Sequence, residues 1–179
     1  MKHLRVIALV MMGVLMTGFS PPVWEANLSA EAQEVLQRGI KFSAVDSVKK
    51  LPPSVVALCA DSRGKLADIG GAWEATDMIG DENLPRRRLI WAVVDGTDYL
   101  VQHDTDYIVH FEFGGIGHGY MFLIARVDAK GNATALWEGL GRSWEGPRKN
   151  EVADVAALAR AIADKQVMDN PYGTLAKKK

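Results

Sequence analysis

Residues 107–127 read YIVHFEFGGIGHGYMFLIARV, and the fold follows from how this stretch is paired. Tyr107, Val109, Phe111 and Phe113 share one face of an extended segment, with Ile108, His110 and Glu112 on the other. That period of two marks a half-buried strand. Met121–Val127 is apolar on both faces until Arg126, the pattern of a central strand covered on both sides. Gly114-Gly115-Ile116-Gly117 joins the two segments, so a strand–turn–strand hairpin is predicted. If Phe113 pairs with His118 across this connection, His118 is turned to the face opposite His110 and Glu112.

Working outward, further strands are predicted at Trp73–Ile79, Arg87–Val94, Thr97–His103 and Ala133–Glu138. Turn residues separate them. Gly80-Asp81-Glu82-Asn83-Leu84-Pro85 follows the first, Asp95-Gly96 is a strong hairpin signal, and Asp128-Ala129-Lys130-Gly131-Asn132 precedes the last. Strands at such spacing indicate an antiparallel meander of about six strands, as a curved sheet or an open barrel.

Helices are expected at the two ends of this meander. Ser29 can cap a short N-terminal helix with Glu31 in its first turn, Val35 and Leu36 inward and Arg38-Gly39 at its end. Near the C-terminus, Asn150 is the expected N-cap of a helix with Val152, Val155, Ala156, Ala159, Ile162 and Ala163 at helical spacing, stopped by Asn170-Pro171. Its apolar stripe needs the sheet as a partner, which makes the fold α+β. Between leader and meander, Ile40–Leu51 suits helix and strand alike. Pro52-Pro53 ends it, Val55–Ala60 reads as a strand or a short buried helix, and Asp61-Ser62-Arg63-Gly64 has turn chemistry.

Lys2, His3 and Arg5 precede the uncharged apolar run Val6–Phe19, too short to span a bilayer comfortably and suited to a secretory signal peptide. Residues 1–26 are therefore assigned to a leader, 27–170 to a single α+β domain and 171–179 to a flexible basic tail. The expected location is periplasmic or secreted, with no membrane span once the leader is removed. Cys59 is the sole cysteine, so no internal disulfide forms, and its apolar setting fits a small buried hydrophobe.

The whole chain carries 21 basic and 22 acidic residues; without Lys2, Arg5 and Glu25 these become 19 and 21, a net of −2. Setting aside Lys177, Lys178 and Lys179 brings the folded body to −5. That balance gives no electrostatic footprint for nucleic acid.

Several groups bear on function. His103, Asp104, Asp106, His110, Glu112 and His118 supply imidazole and carboxylate of the kind that hold a divalent metal, yet no H-E-x-x-H motif is present. Solvent-facing strand residues and turn aspartates are the expectation. Gly115-Ile116-Gly117-His118-Gly119 joins strand to strand, whereas a phosphate loop runs from strand to helix, so a tight hairpin is expected instead. Arg86-Arg87-Arg88 enters a strand, so alternate arginines point to opposite faces. Arg87 is expected to pair with Asp77 or Glu74, with an anionic-ligand site as the competing reading.

Gly71-Ala72-Trp73 is similar to the opening of the lipocalins, whose tryptophan closes one end of an eight-stranded barrel. Three residues carry the resemblance and the chain offers about six strands with flanking helices, so a tryptophan buried under the sheet is expected. Trp144 lies in a loop, Gly141–Pro147, and is the aromatic best placed for an interface.

No nucleophile elbow, catalytic triad motif, paired cysteines or cofactor motif occurs; no catalytic residue, metal ligand or cofactor is assigned. The reading is a small exported binding module, inhibitor- or immunity-like in one concrete form. It would engage a protein or small ligand of the cell envelope through its sheet face and loops. Candidate binding residues are Arg86, Arg88, His110, Glu112, His118, Tyr120 and Trp144. The alternative is a small exported enzyme with a His/carboxylate site around His103–His118, metal-dependent in one version.

Overall fold

The computed structural model of the chain describes residues 26–38, 42–75, 81–95, 104–115, 117–141 and 152–173. Six strands form one open antiparallel meander in chain order: β1 (Phe42–Val45), β2 (Arg87–Asp95), β3 (Thr105–Phe113), β4 (Gly119–Val127), β5 (Ala133–Gly141) and β6 (Val167–Asp169). Helices α1 (Ala30–Gln37) and α3 (Val155–Ala163) pack on one face, and α2 (Pro53–Cys59) on the other. The fold is α+β. The leader over residues 1–25, the strand Thr97–His103 and the tail beyond residue 173 lie outside the described residues. Among those described, no helix is long and apolar enough to cross a membrane.

The central hairpin follows the period of two, but β3 is covered on both sides. Val109 and Phe111 join the core under α2, Ile108 joins the core under α1 and α3, and His110 and Glu112 are 1% and 2% exposed. The expectation of a half-buried strand with a wet histidine face is thereby corrected. Two polar residues in five do not expose a strand when its sheet has layers on both sides.

Register departs from the expectation at the hairpin tip. Phe113 pairs with Gly119, not His118, so Glu112 faces Tyr120 and His110 faces Phe122. A side chain on residue 119 would overlap the Phe113 ring, with an ideal Cβ only 2.5 Å from Phe113 Cζ. Glycine therefore fits at that rung.

On the second strand a register shift lies between Leu89 and Trp91, opposite Phe111 and His110. Ile90 is the extra residue, and beyond it the side chains swap faces. Leu89 and Ala92 therefore lie under α2, while Arg88 and Trp91 share the face of Glu112 and His110.

The described part of the first predicted strand, Trp73–Ala75, is not strand. Trp73–Ala75 has no ladder, only single hydrogen bonds from Glu74 N–H to Pro85 O (2.9 Å) and from Gly115 N–H to Ala75 O (3.4 Å); residues 76–79 lie outside the described set. The sheet instead takes β1 from the ambiguous Ile40–Leu51 segment, which also holds a 3-10 turn at Val48–Lys50, and β6 after the last helix. Such short edge strands have too few residues to show a period of their own.

The helix caps differ in how well they were read. Ser29 caps α1 through Ala32 N–H (3.1 Å), as expected. At α3 the cap is Asp154, accepting from Ala157 N–H at 2.7 Å, rather than Asn150, which is outside the described residues. The buried stripe is consequently Ala157, Leu158 and Ala161 flanked by Val155 and Ile162, and Ala156 and Ala163 are exposed. The helix stops at Asp164–Lys165, where Lys165 takes φ +57°, several residues before Asn170-Pro171. Val55–Ala60 resolves as helix, with Pro53 in the first turn, where its missing N–H costs nothing.

Candidate functional site

At the β3–β4 tip, on the face shared with α1 and α3, five side chains meet: Trp73, Arg88, Glu112, His118 and Tyr120. Arg88 and Glu112 are directly opposed on neighbouring strands. Arg88 Nε and Nη2 both lie 2.6 Å from Glu112 Oε1, and Nη1 donates to Gly71 O at 3.3 Å. The other carboxylate oxygen, Oε2, lies 2.8 Å from His118 Nε2. Both oxygens of a carboxylate 2% exposed are thus occupied. Giving each oxygen a partner in this way is what makes burial of the charge tolerable.

Carboxylate contact at Nε2 assigns the proton to that nitrogen in the neutral ring and leaves Nδ1 as an acceptor. The His118 side chain is 44% exposed. It stands between Trp73, at 5.4 Å and 54° between ring planes, and Tyr120, at 5.1 Å and 55°. Trp73 also lies under the Arg88 guanidinium, 4.9 Å from ring centroid to Cζ, in a cation–π contact.

The segment carrying Trp73 is fixed at both ends. Ala67 bridges β2 through Arg87 O (2.8 Å) and Leu89 N–H (3.0 Å), and Gly71 N–H turns back onto Asp68 O. Glu74 and Ala75 then press on Gly114, where an added Cβ would fall on Glu74 O and 2.7 Å from Ala75 Cα. Gly114 is glycine because another backbone occupies its side-chain space.

The seven residues singled out from sequence divide as follows. Arg88, Glu112, His118 and Tyr120 converge. His110 lies one rung deeper, stacked on Phe122 (4.4 Å, 22°), edge-on to Trp91 and 5.9 Å from Tyr120; at 1% exposure it belongs to the core. Arg86 turns away to Glu74, Nε to Oε2 at 3.4 Å. Trp144 lies outside the described residues, as does His103. Asp104 is exposed, and buried Asp106 binds Arg126 at 2.8 Å and Arg38 at 3.1 Å, tying α1 to the sheet. Among the described residues, no group of three or more His, Cys, Asp or Glu is arranged to hold a metal ion.

Arg87 does not pair with Glu74, and Asp77, the other expected partner, lies outside the described residues. Arg87 reaches under α2, donates to Cys59 O (3.1 Å) and Ala60 O (2.9 Å), and lies over Phe111. A guanidinium there serves carbonyls that the end of a helix leaves without partners. Burial lowers the Arg87 pKa, and burial pushes the neighbouring Cys59 thiol up to about 12.

Trp73 is the site residue that sequence reasoning placed elsewhere. The Gly71-Ala72-Trp73 signal marked it as a packed ring, but its partners come from β2 and the hairpin tip, which sequence spacing does not bring near.

Fold and cluster together define a small α+β protein with a charge-compensated, aromatic site at one end of an open six-stranded meander. Comparison with known protein families, with curated proteins and with solved structures finds no match in any of the three.

Proposed function

We propose that this protein is a small exported binding module that engages its partner at the hairpin tip rather than across the sheet. Both sheet faces are packed by helices, so recognition falls to the end of the sheet where His118 emerges. The observation that carries the reading is the Arg88–Glu112–His118 chain. A buried ion pair contributes little net stability, yet here it fixes the ring of an exposed histidine between two aromatic side chains. Preorganised groups of this kind raise affinity by lowering the ordering cost of binding. A protein that blocks an envelope enzyme is one concrete form.

One observation favours a second reading, a small exported enzyme. An imidazole oriented by a carboxylate, with its other nitrogen free, is the arrangement of a general base. Among the described residues, however, no hydroxyl or thiol is hydrogen-bonded to His118.

His118→Ala separates the two. The module reading expects a folded protein of somewhat lower stability, since Glu112 Oε2 loses its partner, together with loss of partner binding and no turnover of ester, phosphate or peptide substrates by the parent protein. Turnover that disappears in His118→Ala overturns it.

A further inference from the structure

We infer that the Trp73–His118–Tyr120 cluster takes a neutral saccharide, a pyranose unit of an envelope glycan; the inference rests on the binding-module reading above. Charge is the first ground. Arg88 is committed to Glu112, Arg86 and Arg63 approach Glu74, and Arg87 is held by the Cys59 and Ala60 carbonyls. An anionic group would compete with Glu112 for Arg88, whose guanidinium already serves that carboxylate and Gly71 O. A cationic group would meet a carboxylate whose two oxygens are already used and which is 2% exposed. With these charges already paired, an uncharged ligand suits the site best.

Ring geometry is the second ground. His118 is inclined 54° to Trp73 and 55° to Tyr120, so neither pair is closed face to face. Trp73 and Tyr120 are half-buried and the His118 side chain is 44% exposed, so the cluster meets solvent chiefly at His118 with a part of each flanking ring beside it. His118 Nδ1, the Tyr120 hydroxyl and the Trp73 indole N–H have no hydrogen-bond partner among the described residues. A pyranose presents the complement, an apolar C–H face ringed by neutral hydroxyls that both donate and accept. A flat protein partner is the poorer fit, because a stable interface needs about 800 Å² per side with an apolar centre. The large apolar side chains exposed among the described residues, Ile69 and Tyr172, are not part of this cluster.

The test is a titration of the full chain, followed by ¹H–¹⁵N NMR, with cello- and chito-oligosaccharides and with a sulfated oligosaccharide as charged comparator. Saturable shifts of the Trp73 indole and the His118 ring with a neutral sugar, and none with the sulfated one, are expected. Tyr120→Phe, which keeps the ring, should weaken binding about fivefold, the worth of one hydrogen bond. Trp73→Ala should abolish it. The absence of a saturable shift with any neutral sugar overturns the inference, as does binding that Tyr120→Phe and Trp73→Ala leave intact. A purified protein ligand lost in Trp73→Ala, with sugars inert, also overturns it while leaving the module reading standing. Hydrolysis of a bound sugar keeps the ligand assignment and removes the module reading.

Discussion

Glu112 Oε2 and His118 Nε2 lie 2.8 Å apart, one residue inside the ladder of β3 and the other just before β4 begins. Pairing of Phe113 with Gly119 produces this contact, since it leaves His118 in the connection, free to fold back over the face that Glu112 occupies. The same carboxylate takes the Arg88 guanidinium, so one buried charge joins β2, β3 and the connection before β4.

Glu112→Gln should therefore destabilise the protein more than a surface change would. It leaves the Arg88 guanidinium, 20% exposed, without its counter-charge, and breaking such a pair from one side costs about 3 kcal/mol. Denaturant unfolding would show a lower midpoint with an unchanged slope. A midpoint equal to the parent's would mean that the ion pair is not formed in solution.

Gly114→Ala and Gly119→Ala should differ in severity. At 114 the new methyl meets backbone, Glu74 O and Ala75 Cα, which cannot move without shifting the Trp73 segment. At 119 it meets the Phe113 ring, whose side chain can rotate aside. The expected losses are about 3 kcal/mol or more at 114 and about 1–2 kcal/mol at 119, by the usual cost of overpacking. Thermal unfolding of the two variants tests the order.

Cys59 should be inert in the native protein. Burial lifts its thiol from 9.0 to about 12, so almost no thiolate, the reactive species, exists at pH 8. Iodoacetamide at that pH should label the protein only after unfolding. The same shift sets an alkaline limit. Below pH 9 the thiol is neutral in both states and its contribution is complete. Between pH 9 and about 12 the unfolded chain ionises while the native one does not, so stability falls. Cys59→Ala should remove that part of the decline.

Asp68 governs part of the acid limb. The Val48 N–H (2.9 Å) chiefly holds its carboxyl below the ordinary 3.8, with the Ser47 hydroxyl (2.8 Å) and Ile69 N–H adding to this against some desolvation. A depressed native pKa gives stability that is present above about 3.8 and lost as pH falls through the lower native value. Asp68→Asn should cost about 1 kcal/mol at neutral pH and make the decline below pH 4 shallower. Unfolding followed at pH 7 and across pH 2–5 in both proteins checks the two parts.

Much of the fold was legible because it rests on local pattern. The alternation in Tyr107–Phe113, the apolar run Met121–Val127, the Asp128–Asn132 turn and the Ser29 cap each announce themselves within a few residues. Less was legible where two patterns compete or where an element is too short. Trp73–Ala75 has strand composition but no ladder partner, and β6 is three residues long. Of the site, Arg88, Glu112, His118 and Tyr120 were marked by residue type, but the expected register turned His118 to the wrong face. Space bears on that point, since a side chain at the rung facing Phe113 would have to push the ring aside and glycine does not.

By itself, then, the amino-acid order determined an α+β chain with an antiparallel meander, a buried central hairpin strand at Met121–Val127 and helices at both ends, because periodicity and caps act over neighbouring residues. Tertiary structure alone decided that β3 is covered twice, that Ile90 is skipped so Arg88 and Trp91 share a face, and that Trp73 closes over the Arg88–Glu112–His118 chain. Those outcomes depend on which surfaces meet and what volume remains between them, and packing of that kind is a property of contacts between segments far apart in the chain.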